Sequence, residues 1–222
     1  MKTADRTPTL VIDIETWASN NKPDYPPFKV SSGATKPETI QKQKDEYETT
    51  KEELRDKLWR KQALDSMRGA IICVCYAIDD ADVQHIVGDT EQDILTELDN
   101  VLANIPYPIV VGWNISRFDL VWLFHRGLRY GLKNILTSLP NKKDDQAMMR
   151  DLMNVFSATS YGSDSWVSLD EAARFLGFPS KAVSGKDIHD LYVNGQIDVI
   201  IEHCVYDVEL CRKIHKLVYN ML

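Results

Sequence analysis

The stretch TLVIDIET, Thr9–Thr16, decides how this chain is read. Its β-branched residues and its alternation predict a strand. Asp13 and Glu15 stand two apart, so on a strand both carboxylates point to the same side. Two unit charges near 4 Å repel by roughly 4 kcal/mol even at an effective dielectric of about 20. A cation would offset that cost; without one, one carboxyl should keep its proton. The plainer alternative is a strand end emerging into water, where the pair is screened.

The surrounding chain predicts an α/β fold. Its 222 residues are 44% hydrophobic, which suits one domain with room for an insertion. After the first strand, NNKPDYPPFKVSSG carries three prolines and reads as an irregular excursion. From Lys36 to about Ser66 the chain is charged, and Ile40, Tyr47, Leu54 and Leu58 form a thin apolar stripe at helical spacing. A long helix docked at the domain edge follows, its charges either a solvated face or a mobile cover over a site.

Two strands come next, AIICVCYAI and DVQHIVG, joined by the turn-prone DDAD. TEQDILTELDNVLANI is a helix with Thr90 as its cap. PIVVGWN is a short strand, and SRFDLVWLFHRGLRYG a helix ending near Gly131. QAMMRDLMNVF predicts a short strand and then a turn; SLDEAARFLG predicts a capped helix ending at Gly177. A long helix, DVIIEHCVYDVELCRKIHKLVYNML, closes the chain. The order gives one mixed β-sheet flanked by α-helices, with a helical insertion at about residues 18–67.

Charge and cysteine content narrow the function. A net charge of −7 argues against sequence-independent wrapping of duplex nucleic acid, which needs a basic face. It leaves room for an enzyme whose metal ions bring positive charge to a phosphate. No apolar signal core opens the chain, and GAIICVCYAI is too short to span a bilayer. The four cysteines, Cys73, Cys75, Cys204 and Cys211, lack Cys-x-x-Cys spacing, so they read as buried reduced thiols of a cytoplasmic protein rather than a zinc site.

The remaining acids stand far along the chain. Asp119 follows PIVVGWN near a helix start, where it would also suit the helix dipole; Asn114 could be a turn residue. His203 and Asp207 are four apart on the last helix and so share a face. Each alone has an ordinary structural reading. Together they supply hard oxygen ligands for Mg²⁺ or Mn²⁺ and a base with a suitable pKa, the parts that phosphodiester hydrolysis by two ions requires.

VIDIET, VVGWNISRFDL and HCVYDVEL resemble, in order, the three motifs of the DnaQ-like (DEDD) 3′–5′ exonucleases. RDLMNVFSATSYGSDSWVSLDEAARFLGFPSK and SGKDIHDLYVNGQIDVIIEHCVYDVEL are similar to the predicted exonucleases related to the proofreading domain of B-family DNA polymerases. The resemblance implies a ribonuclease H-like fold and removal of nucleotides from a DNA 3′ end, single-stranded or frayed, with two Mg²⁺ or Mn²⁺ ions. It implies metal ligation by Asp13, bridging both ions, by Glu15 and Asp207 at the first, and by Asp119 at the second. It puts Thr16 near the terminal 3′-hydroxyl, offers Trp17 to the last base, and gives Asn114 and Phe118 contacts to the backbone and to base or sugar. It also suggests replication or repair partners, proofreading among the roles, and no membrane.

One letter departs from the family. The spacing of the third motif is that of its Tyr-x-x-x-Asp branch, but the residue is His203. Tyr206 would point away from Asp207, so His203 is expected to act as the base or to orient the water. Arg117, Arg126, Arg129, Lys133, Lys142, Lys143 and Lys186 are candidate phosphate contacts. The alternatives are a noncatalytic nucleic-acid- or partner-binding module and an RNA-trimming enzyme. The sequence says nothing of oligomeric state.

Overall fold

The structure is a computed structural model in which residues 7–140, 147–157, 166–179 and 183–219 are described. Lys142 and Lys143 lie outside them. The chain divides into two compact units, Met1–Thr16 with Ile71–Leu222, and Trp17–Ala70.

The larger unit is built on a five-stranded sheet of β1 (Thr9–Trp17), β2 (Ala70–Ile78), β3 (Gln84–Ile86), β4 (Ile109–Gly112) and β5 (Met149–Asp151), in the order β3-β2-β1-β4-β5. β1 is central, which is why its nine residues are buried or nearly so along their whole length. β4 runs parallel to β1, pairing Val11 with Val111, and β5 runs parallel to β4, pairing Gly112 with Asp151. The carboxyl ends of β1, β4 and β5 therefore open on one edge, the usual place for a ligand site in such sheets. β3 is antiparallel to β2.

The two faces of the sheet differ. Leu10, Ile12 and Ile14 project from β1 into a core with Ile94, Leu95, Leu98 and Leu102 of α2 (Glu91–Leu102) and Leu120, Trp122 and Leu123 of α3 (Asp119–Tyr130). Asp13 and Glu15 point to the opposite side, where the Cys204 thiol of α8 (Ile197–Tyr219) reaches Asp13 Oδ2 at 3.3 Å. Gly112 is required at the end of β4. An added Cβ would sit 2.7 Å from Ile115 Cδ1 and 3.0 Å from Ile12 O.

Helix ends follow local chemistry. Thr90 and Asp93 form a capping box at α2, and Gly131, at φ 68°, ends α3 in the left-handed conformation. Ser168 and Glu171 cap α6 (Leu169–Phe175) in the same way as Thr90 and Asp93. The turn expected after β5 is instead a short helix, α5 (Leu152–Ser157). Asp151 starts it by accepting from Met153 N at 3.2 Å, an Asx-type contact that the strand reading did not anticipate. Two further short helices, α4 (Lys133–Ser138) and α7 (Ile188–Val193), complete the unit.

The smaller unit holds α1 (Pro37–Arg60) and a 3-10 turn at Lys61–Leu64. α1 has no buried residue; of the expected apolar stripe, Ile40 and Tyr47 are half-buried, while Leu54 and Leu58 are exposed. Tyr47 of that stripe, together with Arg55 and Trp59, holds the proline-rich segment. Tyr47 Oη donates to Pro26 O at 2.6 Å, Arg55 Nε to Pro23 O at 2.7 Å and Trp59 Nε1 to Ser19 O at 2.8 Å. The Arg55 guanidinium also lies 4.4 Å from the Tyr25 ring centre. Tyr47 stands eight residues before Arg55, and Arg55 four before Trp59, so successive polar rungs satisfy the carbonyls of a segment whose prolines have no N–H to offer. Among the described residues no helix is long and apolar enough to cross a membrane.

Candidate active site

Asp13 lies at the middle of the site. Its backbone and carboxyl oxygens both receive the Cys204 thiol, at 3.5 Å and 3.3 Å. Donor atoms of Asp13, Glu15 and Cys204 all lie within 4.8 Å of one another. From α8, His203 Nε2 approaches Glu15 Oε1 at 3.3 Å and Asp207 Oδ2 at 3.8 Å. The four-residue spacing on α8 thus aims His203 and Asp207 at the same edge of β1.

Asp119 enters from the other side, as the first residue of α3. Its Oδ1 accepts from Ile14 N at 3.1 Å, tying the helix start to β1 between the two β1 acids. Asn114 makes the turn that delivers it. Its φ of 55° is one that asparagine tolerates, and its carbonyl accepts from Arg117 N and Phe118 N, both at 3.1 Å. The Asn114 Oδ1 acceptor is buried and has no hydrogen-bond partner among the described residues.

Electrostatics show how closely the acids are gathered. Burial pushes the Asp13 carboxyl far above its usual range, and the charges of Asp119, Asp207 and Glu15 push it further; the Cys204 thiol opposes them. Burial likewise raises Asp119 to about 7, against the backbone hydrogen bonds that stabilise its charge, with Asp151 and Asp207 adding to the rise. Several carboxyls that cannot all ionise without a counter-charge form the donor set a hard divalent cation prefers.

The structure brings Asp13, Glu15, Asp119, His203 and Asp207 together and distributes the other candidates. Thr16 is buried at the end of the β1 segment in the larger unit. Trp17 belongs to the inserted unit, where its ring meets that of Trp59 edge-on at 6.2 Å. Phe118 packs against Trp122 at 6.0 Å, at the border of the core. Tyr206 donates its hydroxyl to Pro179 O, away from the carboxylates. Lys186 is exposed in the turn before α7.

Arg126 needs a correction as a phosphate contact. It is buried, with Nε 3.0 Å from Glu91 Oε1 and its guanidinium over Trp122. At 1.5 Å per residue it also lies about 10 Å along α3 from Asp119, and Arg129 lies further still. Arg117, by contrast, lines a cleft of about 680 Å³ with Ser116, Arg150 and Asp151. Arg117 stacks over Trp166 at 5.7 Å, and Arg150 over Tyr219 at 5.3 Å.

Two residues at the site were not singled out from the sequence. Asp151 ends β5 beside Asp119, where it accepts from Ser116 N and Ser116 Oγ. Its position in RDLM, at the end of a short strand, was the available signal. Cys204 carried none, because a cysteine on a helix reads as core.

Residues 62–210 match the family described as predicted 3′–5′ exonuclease related to the exonuclease domain of PolB. The chain belongs to that family. The matched part of this PolB-type exonuclease chain includes Asp119, His203 and Asp207, and begins after Asp13 and Glu15. A protein named "Putative DNA polymerase 060R", from Frog virus 3 (isolate Goorha), is 25% identical over 145 residues, covering 54% of this chain and 14% of that protein. The family B DNA polymerase of the hyperthermophilic archaeon Pyrobaculum calidifontis superposes with a TM-score of 0.62 at 12% identity, over 96% of this chain and 25% of the polymerase. That likeness shows the fold, a ribonuclease H-like mixed sheet with flanking helices, and the chain spans a quarter or less of either protein. Exonuclease domains of this kind generally use divalent metals.

Proposed function

We propose that this chain is a metal-dependent 3′–5′ exonuclease that shortens single-stranded or frayed DNA 3′ ends. The observation that carries the reading is the meeting of four carboxyls, on β1, α3 and α8, two of which flank the His203 imidazole. Asp13, Glu15, Asp119 and Asp207 would hold two Mg²⁺ or Mn²⁺ ions, which suit all-oxygen donor sets. Such ions activate water and stabilise the charge that develops on phosphate and leaving oxygen.

The chain's own groups then have separate tasks. His203 Nε2 takes the proton of the attacking water, with Glu15 and Asp207 beside it to stabilise the imidazolium. Thr16 and the Asn114 acceptor border the terminal sugar, and Phe118 supports it from the core side. Arg117 and Arg150, with Trp166 and Tyr219, offer charge and rings to the nucleotides next to the end, a pairing that suits single strands. Lys186 adds a phosphate contact, and Trp17 offers its ring to the last base. DNA is preferred over RNA because the relatives are named as DNA polymerases. A single exonuclease domain with an insert, a cytoplasmic setting and replication or repair partners belong to the same proposal.

A second reading, a binding module of the same fold with an impaired site, has one observation in its favour. His203 stands where the family places tyrosine, and its Nε2 is already engaged by Glu15 at 3.3 Å. An end-labelled oligonucleotide assay separates the two. The enzyme should give a ladder receding from the 3′ end, abolished by EDTA and by Asp13→Ala, and faster on DNA than on RNA of the same sequence. His203→Ala should lower kcat by about 10²–10⁴-fold with little change in KM, the range for a general base. Metal-independent cleavage, or undiminished turnover in that variant, would remove this mechanism.

A further inference from the structure

Behind the carboxylates lies a second set of donors with different chemistry. Cys73 and Cys75 are two apart on β2 and share the face that α8 covers. Cys204 descends from α8 between them and Asp13. The sulfurs of Cys73, Cys75 and Cys204 all lie within 4.8 Å of one another, and Cys73 Sγ is 3.8 Å from Cys75 Sγ. All three are free thiols.

We propose that Cys73, Cys75 and Cys204 form a binding site for a thiophilic d¹⁰ cation such as Zn²⁺ or Cd²⁺, separate from the carboxylate site and joined to it through Cys204. The distances support coordination. A tetrahedral zinc with Zn–S bonds of about 2.3 Å separates its sulfurs by about 3.8 Å, the spacing of the β2 pair, so Cys204 needs only a small adjustment to supply the third corner. Cys204 also contacts Asp13 Oδ2 at 3.3 Å, the link by which the thiol site touches the carboxylate site. Each thiol releases its proton to solvent on binding.

Donor chemistry keeps the two sites distinct. Mg²⁺ and Mn²⁺ favour carboxylate and water, while thiolates select softer ions. The thiols themselves are buried, and the half-buried Asp13, which shares a donor cluster with Glu15 and Cys204, is their neighbour nearer to solvent. A captured ion draws the Cys204 sulfur toward β2 and loosens its contact with Asp13. The loaded protein therefore works more slowly with Mg²⁺ than the unloaded protein, if the carboxylates do nuclease work as proposed above.

The test uses the reduced full chain, with one equivalent of Cd²⁺ added in excess Mg²⁺. A thiolate-to-cadmium charge-transfer band should appear, and one equivalent of cadmium should remain after desalting. Cys73→Ser and Cys75→Ser should each remove roughly one third of the band, in proportion to the sulfurs lost, and weaken retention by at least about tenfold. Cys211→Ser, outside the cluster, should leave both unchanged. Cys73→Ala with Cys75→Ala, checked for a cooperative melt, guards against a serine that disturbs packing. Absence of the band in the folded protein, or its survival in the double alanine variant, overturns the proposal. The band reports coordination without catalysis, so it stands or falls independently of the exonuclease reading.

Discussion

Asp119→Asn should stabilise the metal-free protein. Burial raises the Asp119 carboxyl from its ordinary 3.8 to about 7, and Asp151 and Asp207 contribute. An acid held above its ordinary value favours the fold while protonated and opposes it once ionised. The favourable state is complete below about pH 4 and is lost between about pH 4 and 7, leaving a full penalty of about 4 kcal/mol above that window. Asparagine keeps an oxygen for the Ile14 N–H, which Asp119 Oδ1 accepts at 3.1 Å, and carries no charge. In EDTA near pH 8 the variant should therefore gain about 2–4 kcal/mol, or roughly 5–15 °C in Tm for a chain of this size. Near pH 4 the gain should vanish. Excess Mg²⁺ should raise the Tm of the parent protein more than that of the variant, because bound ions relieve the same penalty by mass action. Thermal melts across pH, with EDTA or Mg²⁺, read all three. A variant less stable than its parent in EDTA at every pH would refute the argument that repulsion and burial of charge dominate this site.

Two structural substitutions probe the supports of the site. Gly112→Ala should cost about 1–3 kcal/mol, because the new Cβ falls 2.7 Å from Ile115 Cδ1 and 3.0 Å from the backbone oxygen of Ile12; an unchanged denaturation midpoint would contradict it. Arg126→Ala should lower stability by about 3 kcal/mol by stranding Glu91 in a buried pair 3.0 Å long, while the folded fraction binds oligonucleotide with unaltered Kd. Weakened oligonucleotide binding at constant stability would restore Arg126 as a phosphate contact.

Legibility in the sequence tracked the range of the interactions involved. The alternation of TLVIDIET and the capping signals at Thr90 and Ser168 are local, and the elements they imply are present. The length of α1 was readable and so was Tyr47, but not the polar partners Arg55 and Trp59. Leu54 and Leu58 satisfy a hydrophobic pattern, yet the helix holds its neighbour through Tyr47, Arg55 and Trp59 bonded to carbonyls. Proline-rich segments lack donors, so their partners must bring them, and a search for apolar periodicity passes over such residues. Arg126 misled for the converse reason. A basic residue after a motif suggests phosphate, and only the tertiary approach of Glu91, thirty-five positions earlier, makes it a core ion pair.

The carboxylate site is partly legible because its geometry reduces to two local rules and one global fact. Strand period sets Asp13 beside Glu15, and helix period sets His203 beside Asp207. The global fact is that β1, β4 and β5 run parallel, so the chain emerging from each arrives on one edge. Asp151 is placed chiefly by that fact, its one local signal being its position in RDLM at the end of a short strand. The thiols are the extreme case. Cys73 and Cys75 are neighbours by strand period, but their meeting with Cys204 depends on α8 crossing the face of the sheet that carries Asp13. The same crossing sets a soft donor within hydrogen-bond distance of a hard one. A thiol that lowers the cost of ionising Asp13 is therefore also the atom through which a thiophilic ion can disturb it. Replacing Cys204 by serine should separate these effects, keeping a donor to Asp13 while removing the third sulfur.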